Sequence, residues 1–262
     1  LLVGMEIYNP GQYSVGLGQR IQFNKFGNKI YFGQTQGVDS FKNNSVERLC
    51  NEFEIKKMIM QNPEVKKILT SNKMPVRLNM VELRDLMDNH SKDTMNIAVG
   101  IAANLPEALK QRVNMKDLKD GAMLHDFGKV LIPPQILNKN GPLTVEEHKI
   151  MDLHTELGYQ LLKNSGISDE VLNLVRYHHD NFDGTDSVRK NFIPDINLQI
   201  LNLADKYSAL TEKRVYKEAY SPKKALTILY SDVKKGNVHP FLFQALVKSL
   251  ESQAVQVNVN KC

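Results

Sequence analysis

From Met80 onward the apolar positions recur with a helical period. Leu83, Leu86, His90, Ile97, Ile101 and Leu105 fall at steps of three, four or seven, one stripe of a single helix. Leu118, Ala122 and His125 define a second face, on a helix expected to end near Lys129 because Pro133-Pro134 forces a stop. Thr144 with Glu147 three residues later reads as a capping box. It opens a helix on which Ile150, His154, Leu157 and Leu161 share a side. Leu198, Leu201, Asp205 and Ser208 repeat the pattern. Ser221-Pro222 predicts another helix start, and Lys234-Lys235-Gly236 its end.

The first forty-odd residues follow a different pattern. Glycines are dense there, between short β-prone runs such as Arg20-Ile21-Gln22-Phe23 and Lys29-Ile30-Tyr31-Phe32. Phe26-Gly27-Asn28 supplies a hairpin turn between them. The chain is therefore expected to divide into a small β-rich module over 1–44, a helical connector over 45–75 and a helical domain over 76–252. A polar tail over 253–262 is expected to be frayed. The fold class is mainly α, a helical bundle preceded by a β module. That module is read as a regulatory or dimerisation element, and no residue in it identifies a ligand.

Composition narrows the function. At 262 residues, with 42% hydrophobic and 24% charged residues, the chain is globular. A net charge of +5 without concentrated basic runs argues against binding of duplex nucleic acid and suits a phosphate-bearing ligand or a merely soluble surface. Two cysteines, Cys50 and Cys262, make no disulfide framework. The most apolar run, Asn96 to Leu105, is too short to cross a membrane. No basic export signal opens the chain, so a soluble, cytoplasmic protein is expected, although a start at Leu1 suits a fragment of something longer.

Several polar residues interrupt the apolar stripes. His90, His154 and Asp205 each stand where a hydrophobe would pack, which costs stability unless each finds a partner. One such histidine is ordinarily a hydrogen-bonded core residue. Several on separate helices are satisfied together by one buried metal centre. His125-Asp126 adds a neighbouring pair whose side chains project about 100° apart on a helix and can both lean toward an ion. Mixed imidazole and carboxylate donors suit iron, manganese or zinc. His148 lies off its stripe and is read as solvated, and His239, before Pro240, as a capping or packing residue.

Ala122-Met-Leu-His-Asp-Phe-Gly-Lys129 resembles the core motif of the HD phosphohydrolase superfamily. Ile136 to Lys139, Gly141 to Thr144, Glu147, His154 and Gly158 resemble its HD-GYP branch. So do His178-His179-Asp180, Asp183-Gly184, Ala204-Asp205, Ala209 to Thr211 and Arg214 to Tyr216. The spacings are 35 residues from His90 to His125, 29 to His154, 24 to His178, and 26 from His179 to Asp205. The resemblance implies a helical HD domain with two divalent cations, iron or manganese first and zinc next. His90, His125, His154, His178, His179 and Asp205 would be terminal ligands and Asp126 the bridge. Catalysis would rest on Asp126 and Lys129, and substrate contact on Lys129, Asp183 and Arg214. Two ions roughly 3.5–4 Å apart can activate a hydroxide for in-line attack on phosphorus.

Four departures from the family pattern stand out. Thr185-Asp186-Ser187 occupies the place of the Gly-Tyr-Pro. Leu86 stands where members with a third metal carry glutamate, which favours two ions. Ser208 replaces a second aspartate, and Asp180 shortens a glutamate arm by one methylene. The expected function is a phosphodiesterase opening a cyclic dinucleotide, cyclic di-GMP first, to a linear dinucleotide or GMP in bacterial signalling. The alternatives are another cyclic dinucleotide or nucleotide as substrate, or a non-catalytic binding or docking module. A homodimer or a signalling-protein partner is compatible with either.

Overall fold

The computed structural model describes residues 22–23, 29–30, 44–182, 194–213 and 218–259. The described helical part opens with three short helices: α1 (Asn44–Leu49), α2 (Glu52–Gln61) and α3 (Pro63–Ser71). Asn51 and Asn62 cap the second and third by accepting from Phe53 N–H and Glu64 N–H. Next come α4 (Met80–Leu86), a π-helical turn (Met87–Ser91) and α5 (Lys92–Ala103), which together form the long helix expected from the stripe. α6 (Glu107–Lys110) leads to α7 (Met115–Leu124), a 3-10 turn (Phe127–Leu131), α8 (Pro134–Leu137) and α9 (Val145–Leu162). The remainder is α10 (Asp169–Tyr177), α11 (Ile196–Thr211), α12 (Pro222–Lys234) and α13 (Pro240–Val259).

The local signals act as expected at three helix ends. Thr144 Oγ1 accepts from Glu147 N–H while the Glu147 carboxylate accepts from Thr144 N–H, a complete capping box. Ser221 caps α12 with Pro222 at its first position. Gly236 takes φ +83° just after α12 ends, the left-handed conformation that stops a helix.

Two apolar cores fill the bundle. One joins α5, α11, α12 and α13 through residues such as Ile101, Leu201, Leu229 and Leu246. The other joins α1, α2 and α3 to α4, α9 and the 3-10 turn through Ile55, Leu69, Leu83, Phe127 and Leu157. α7 and α10 contribute to both, with Leu118 and Leu174 in the first, and Leu124 and Val175 in the second. At about 25 cal/mol per Å² of apolar surface, each fully buried leucine adds roughly 1.5–3 kcal/mol.

Several expectations change. Residues 45–75 are helical, but they bury Val46, Ile55, Val65 and Leu69 in the second core rather than standing apart as a connector. α7 ends at Leu124, not near Lys129, because Asp126 (φ −97°, ψ 8°) leaves the helical region and the chain tightens into the 3-10 turn. The last helix continues to Val259, beyond 252 and into the stretch expected to fray. Of the β module over 1–44, the described residues hold only the antiparallel pair β1 (Gln22–Phe23) and β2 (Lys29–Ile30), in register Gln22 to Ile30 and Phe23 to Lys29. The rest of the stretch read as a β module lies outside the described residues. Among the described residues, no helix is long and apolar enough to cross a membrane.

Candidate metal centre

Five elements deliver the polar residues to one place. His90 sits on the π turn, a local widening of the helix that often marks functional sites. His125 and Asp126 follow the last turn of α7, and His154 lies on α9. His178 is the C-cap of α10 with His179 next, and Asp205 lies on α11. His90, His125, Asp126, His154 and His178 are buried, while His179 opens to solvent.

Hydrogen bonds fix the rings. Nδ1–H of His125 donates to Ala122 O at 2.8 Å, His154 to Met151 O at 2.6 Å, and His178 to Val175 O at 2.9 Å. Each bond puts a proton on Nδ1 and turns Nε2 inward, and in His154 and His178, which burial keeps neutral, that Nε2 carries a lone pair. The consequence is unusual for a protein interior. His154 Nε2 lies 3.3 Å from His178 Nε2, so these two lone pairs point at one another, and His179 Nε2 stands 3.3 Å away on the other side. His125 Nε2 is fully buried with no hydrogen-bond partner. Nitrogens at about 2.0–2.1 Å around a tetrahedral cation stand about 3.3–3.4 Å apart. A cation turns this repulsive packing into a favourable one.

Asp126 divides the cluster. Its Oδ1 faces His154 at 3.3 Å and His178 at 3.9 Å, and its Oδ2 faces His125 at 3.3 Å and His90 at 3.6 Å. Asp205 Oδ1 accepts from His90 Nε2 at 3.0 Å and lies 3.7 Å from His125. Three sets of ligand atoms lie close enough to share an ion: His154, His178 and His179; His90, His125 and Asp126; and His125, His178 and Asp205. Lys129 Nζ donates to Asp126 Oδ2 at 2.6 Å, with its side chain 18% exposed.

The electrostatics follow from this geometry. Burial works against charge on Asp126 and Asp205, yet Lys129 and His125 hold Asp126, and His125 and His90 hold Asp205, well below the usual range. Burial also opposes charge on His125, but the Asp126 and Asp205 carboxylates outweigh it and push the ring up to about 10. His154 goes the other way, to about 3, because burial, with Lys129 and His179 nearby, outweighs Asp126.

Close backbone packing holds the Asp126 loop against α9. A Cβ on Gly128 would overlap His154 O and stand 2.5 Å from Gly158 N. Asn79 N–H donates to Val130 O, and its side-chain amide donates to Ile132 O, tying the other end of the 3-10 turn to α4. Asn202 Nδ2 donates to His178 O at 2.8 Å and Asp180 O at 3.2 Å, fixing the turn that carries both neighbouring histidines.

The HD-domain family model matches residues 75–239, well over half the chain. The chain belongs to the HD-domain family. It is 33% identical over 157 residues to the cyclic di-GMP phosphodiesterase response regulator RpfG of Xanthomonas campestris, covering 58% of this chain and 40% of that protein. It is 34% identical over 146 residues to a cyclic di-GMP phosphodiesterase of Thermotoga maritima, covering 53% and 39%. A 3'3'-cGAMP-specific phosphodiesterase of Vibrio cholerae is 35% identical over 109 residues, covering 40% of this chain and 21% of that protein. The chain thus spans less than half the length of these relatives. In fold it resembles an HDG"Y"P protein from Bdellovibrio bacteriovorus at a TM-score of 0.55 and 17% identity, over 84% of this chain and 75% of that one.

This HD domain brings His90, His125, Asp126, Lys129, His154, His178, His179 and Asp205 together, although they are far apart in sequence. Asp183 and Arg214 lie outside the described residues, as does the Thr185-Asp186-Ser187 stretch. His148 is exposed, and His239 Nδ1 accepts from Phe241 N–H, as expected of a cap. Sequence reasoning missed Asn79, Asn202 and Glu212. Their available signals were weak: Asn202 interrupts the apolar run of α11, and Glu212 stands seven residues beyond Asp205 on the same side.

Proposed function

We propose that this HD domain is a metal-dependent phosphodiesterase of the HD-GYP type acting on a cyclic dinucleotide, with cyclic di-GMP as first substrate. The observation that carries this reading is Asp126, which turns one oxygen toward His154 and His178 and the other toward His90 and His125. A carboxylate so placed suits two divalent cations with itself as bridge. His154, His178 and His179 then serve one cation, and His90, His125 and Asp205 the other. The mixed donor set favours iron or manganese, then zinc.

Bound cations would supply Lewis acidity and activation of water. The chain's own residues do the rest. The Nδ1 hydrogen bonds to Ala122, Met151 and Val175 hold three rings in the liganding orientation. Lys129, at the partly open edge of the cluster, is placed to shift its ammonium from Asp126 to a phosphoryl oxygen and neutralise charge growing there. Asp183 and Arg214 are assigned to substrate contact by the family resemblance. Relatives named for cyclic di-GMP and for 3'3'-cGAMP both match. With Thr185-Asp186-Ser187 in place of Gly-Tyr-Pro, 3'3'-cGAMP is therefore the second substrate to test.

The test loads the protein with Fe(II), Mn(II) or Zn(II) and offers cyclic di-GMP, 3'3'-cGAMP and cyclic di-AMP in parallel. A linear dinucleotide or mononucleotide from the wild type, absent from Asp126→Ala, is the expected result. Metal uptake with no turnover of any of the three would leave a binding module and defeat the enzyme reading.

A further inference from the structure

His90 is oriented differently from its neighbours. His125, His154 and His178 each donate Nδ1–H to the carbonyl three residues earlier in their own segment. His90, on the π turn, instead presents Nδ1 to side chains of α11: Glu212 Oε2 at 3.3 Å and Ser208 Oγ at 3.4 Å. Asp205 on the same helix holds the opposite nitrogen, Nε2, at 3.0 Å. Asp205 and Ser208 share a face of α11 and Glu212 follows four residues on at its C-cap, so the end of this helix grips both nitrogens of a single ring.

Glu212 is placed for this by the end of its helix. It is the C-cap of α11, at φ −85° and ψ 138°, with its N–H donating to Ser208 O at 2.9 Å. Leaving the helix there turns the chain so that the long glutamate arm folds back to His90, with 28% of the side chain exposed. The family resemblance puts an aspartate at 208, where this chain has a serine whose hydroxyl carries no charge. The carboxylate missing from position 208 is supplied one turn later.

We propose that Glu212 is the positioning residue of His90: its carboxylate accepts the Nδ1–H, fixes the tautomer and raises the basicity of the Nε2 that faces the centre. A carboxylate behind a ligand imidazole commonly changes metal affinity by about 10–100-fold. The proposal rests on the metal-centre reading above and adds a residue that the HD motif does not include.

The experiment titrates the whole chain with Co(II), following both the number of ions bound and the visible spectrum, which reports ligand geometry. Glu212→Gln keeps the shape and removes the charge; Glu212→Ala removes both. Both should weaken one of the bound ions by about 10–100-fold and alter its spectrum, leaving the helical circular dichroism of the cation-free protein unchanged. Adding Ser208→Asp to Glu212→Ala should restore affinity, and in a His90→Ala background neither Glu212 variant should cause further loss. Affinities within about twofold of wild type, or an equal loss without His90, would overturn the proposal while leaving the centre intact. A wild-type chain that takes up no Co(II) would instead defeat the metal reading, and this assignment with it.

Discussion

Replacing Gly128 by alanine is a small change with a large expected cost. The added methyl would overlap His154 O and stand 2.5 Å from Gly158 N and 2.9 Å from His154 C, all backbone atoms of α9 that no rotamer can move aside. Reaching ordinary contact at about 3.4 Å needs the 3-10 turn and α9 to separate by about 0.9 Å at Gly158 N and by more than that at His154 O. Both sides are anchored, the turn through Asn79 and the buried Phe127, α9 through Leu157 and Leu161 in the same core. Overpacking of this kind costs about 2–3 kcal/mol. For a chain of this size that lowers the melting temperature by about 4–12 °C.

The same displacement separates Asp126 and Lys129 on the turn from His154 on the helix. A misplacement near 1 Å can cost about 100-fold in rate. Differential scanning calorimetry of the cation-free protein and turnover of the loaded protein measure the two effects separately. Gly166→Ala is the control: its φ of +81° brings strain of about 1–2 kcal/mol, but nothing lies within 4 Å and the metal cluster is not involved. A Gly128→Ala protein with wild-type melting and wild-type turnover would refute the claim that backbone contact sets the site.

Four further outcomes are expected. Asp126 and Asp205 push His125 up to about 10, and Asp205, Glu212 and Asp126 raise His90 as well, so cation binding at this pair competes with protons. Apparent affinity for Mn(II) should then rise with pH from 6.5 toward 10, by up to about tenfold per unit for each proton displaced, and a flat profile would contradict it. In the cation-free protein, the raised His125 adds stability that is present below its unfolded value near 6.5 and is lost as pH climbs toward 10. The lowered His154 acts oppositely, removing stability as pH falls from 6.5 toward 3, so urea midpoints should decline on both sides. Thr144→Ala breaks the capping box of α9 and should cost about 1 kcal/mol with metal content unchanged, as read by melting and elemental analysis. Lys129→Met should leave metal uptake intact, since it removes a competitor for Asp126 Oδ2, but lower turnover; unchanged turnover would remove Lys129 from the reaction.

Much of the fold was legible where local chemistry acts alone. Thr144 with Glu147, Ser221-Pro222 and Gly236 mark helix ends because each satisfies or breaks backbone bonds within a few residues. The apolar stripes located the long helix from Met80 to Ala103 and the faces of α9 and α11. Its π turn was not legible: a strict period runs through Leu86 and His90, whereas the structure buries Met87 with His90 and leaves Leu86 partly exposed. The end of α7 was misplaced because Pro133-Pro134 sets only an outer limit, while contact between Gly128 and α9 decides the actual break.

The order of residues determined which side chains could serve the centre, because histidine and aspartate on apolar stripes need a common partner wherever the helices meet. It also determined the helix starts and stops, which depend on neighbours along the chain. Folding alone decided how those residues share their contacts: the two-sided placement of Asp126, the facing lone pairs of His154 and His178 with His179 beside them, and the grip of α11 on His90. These depend on packing between segments up to 122 residues apart (His90 to Glu212), where rigid apolar cores and touching backbones, not sequence spacing, set the distances.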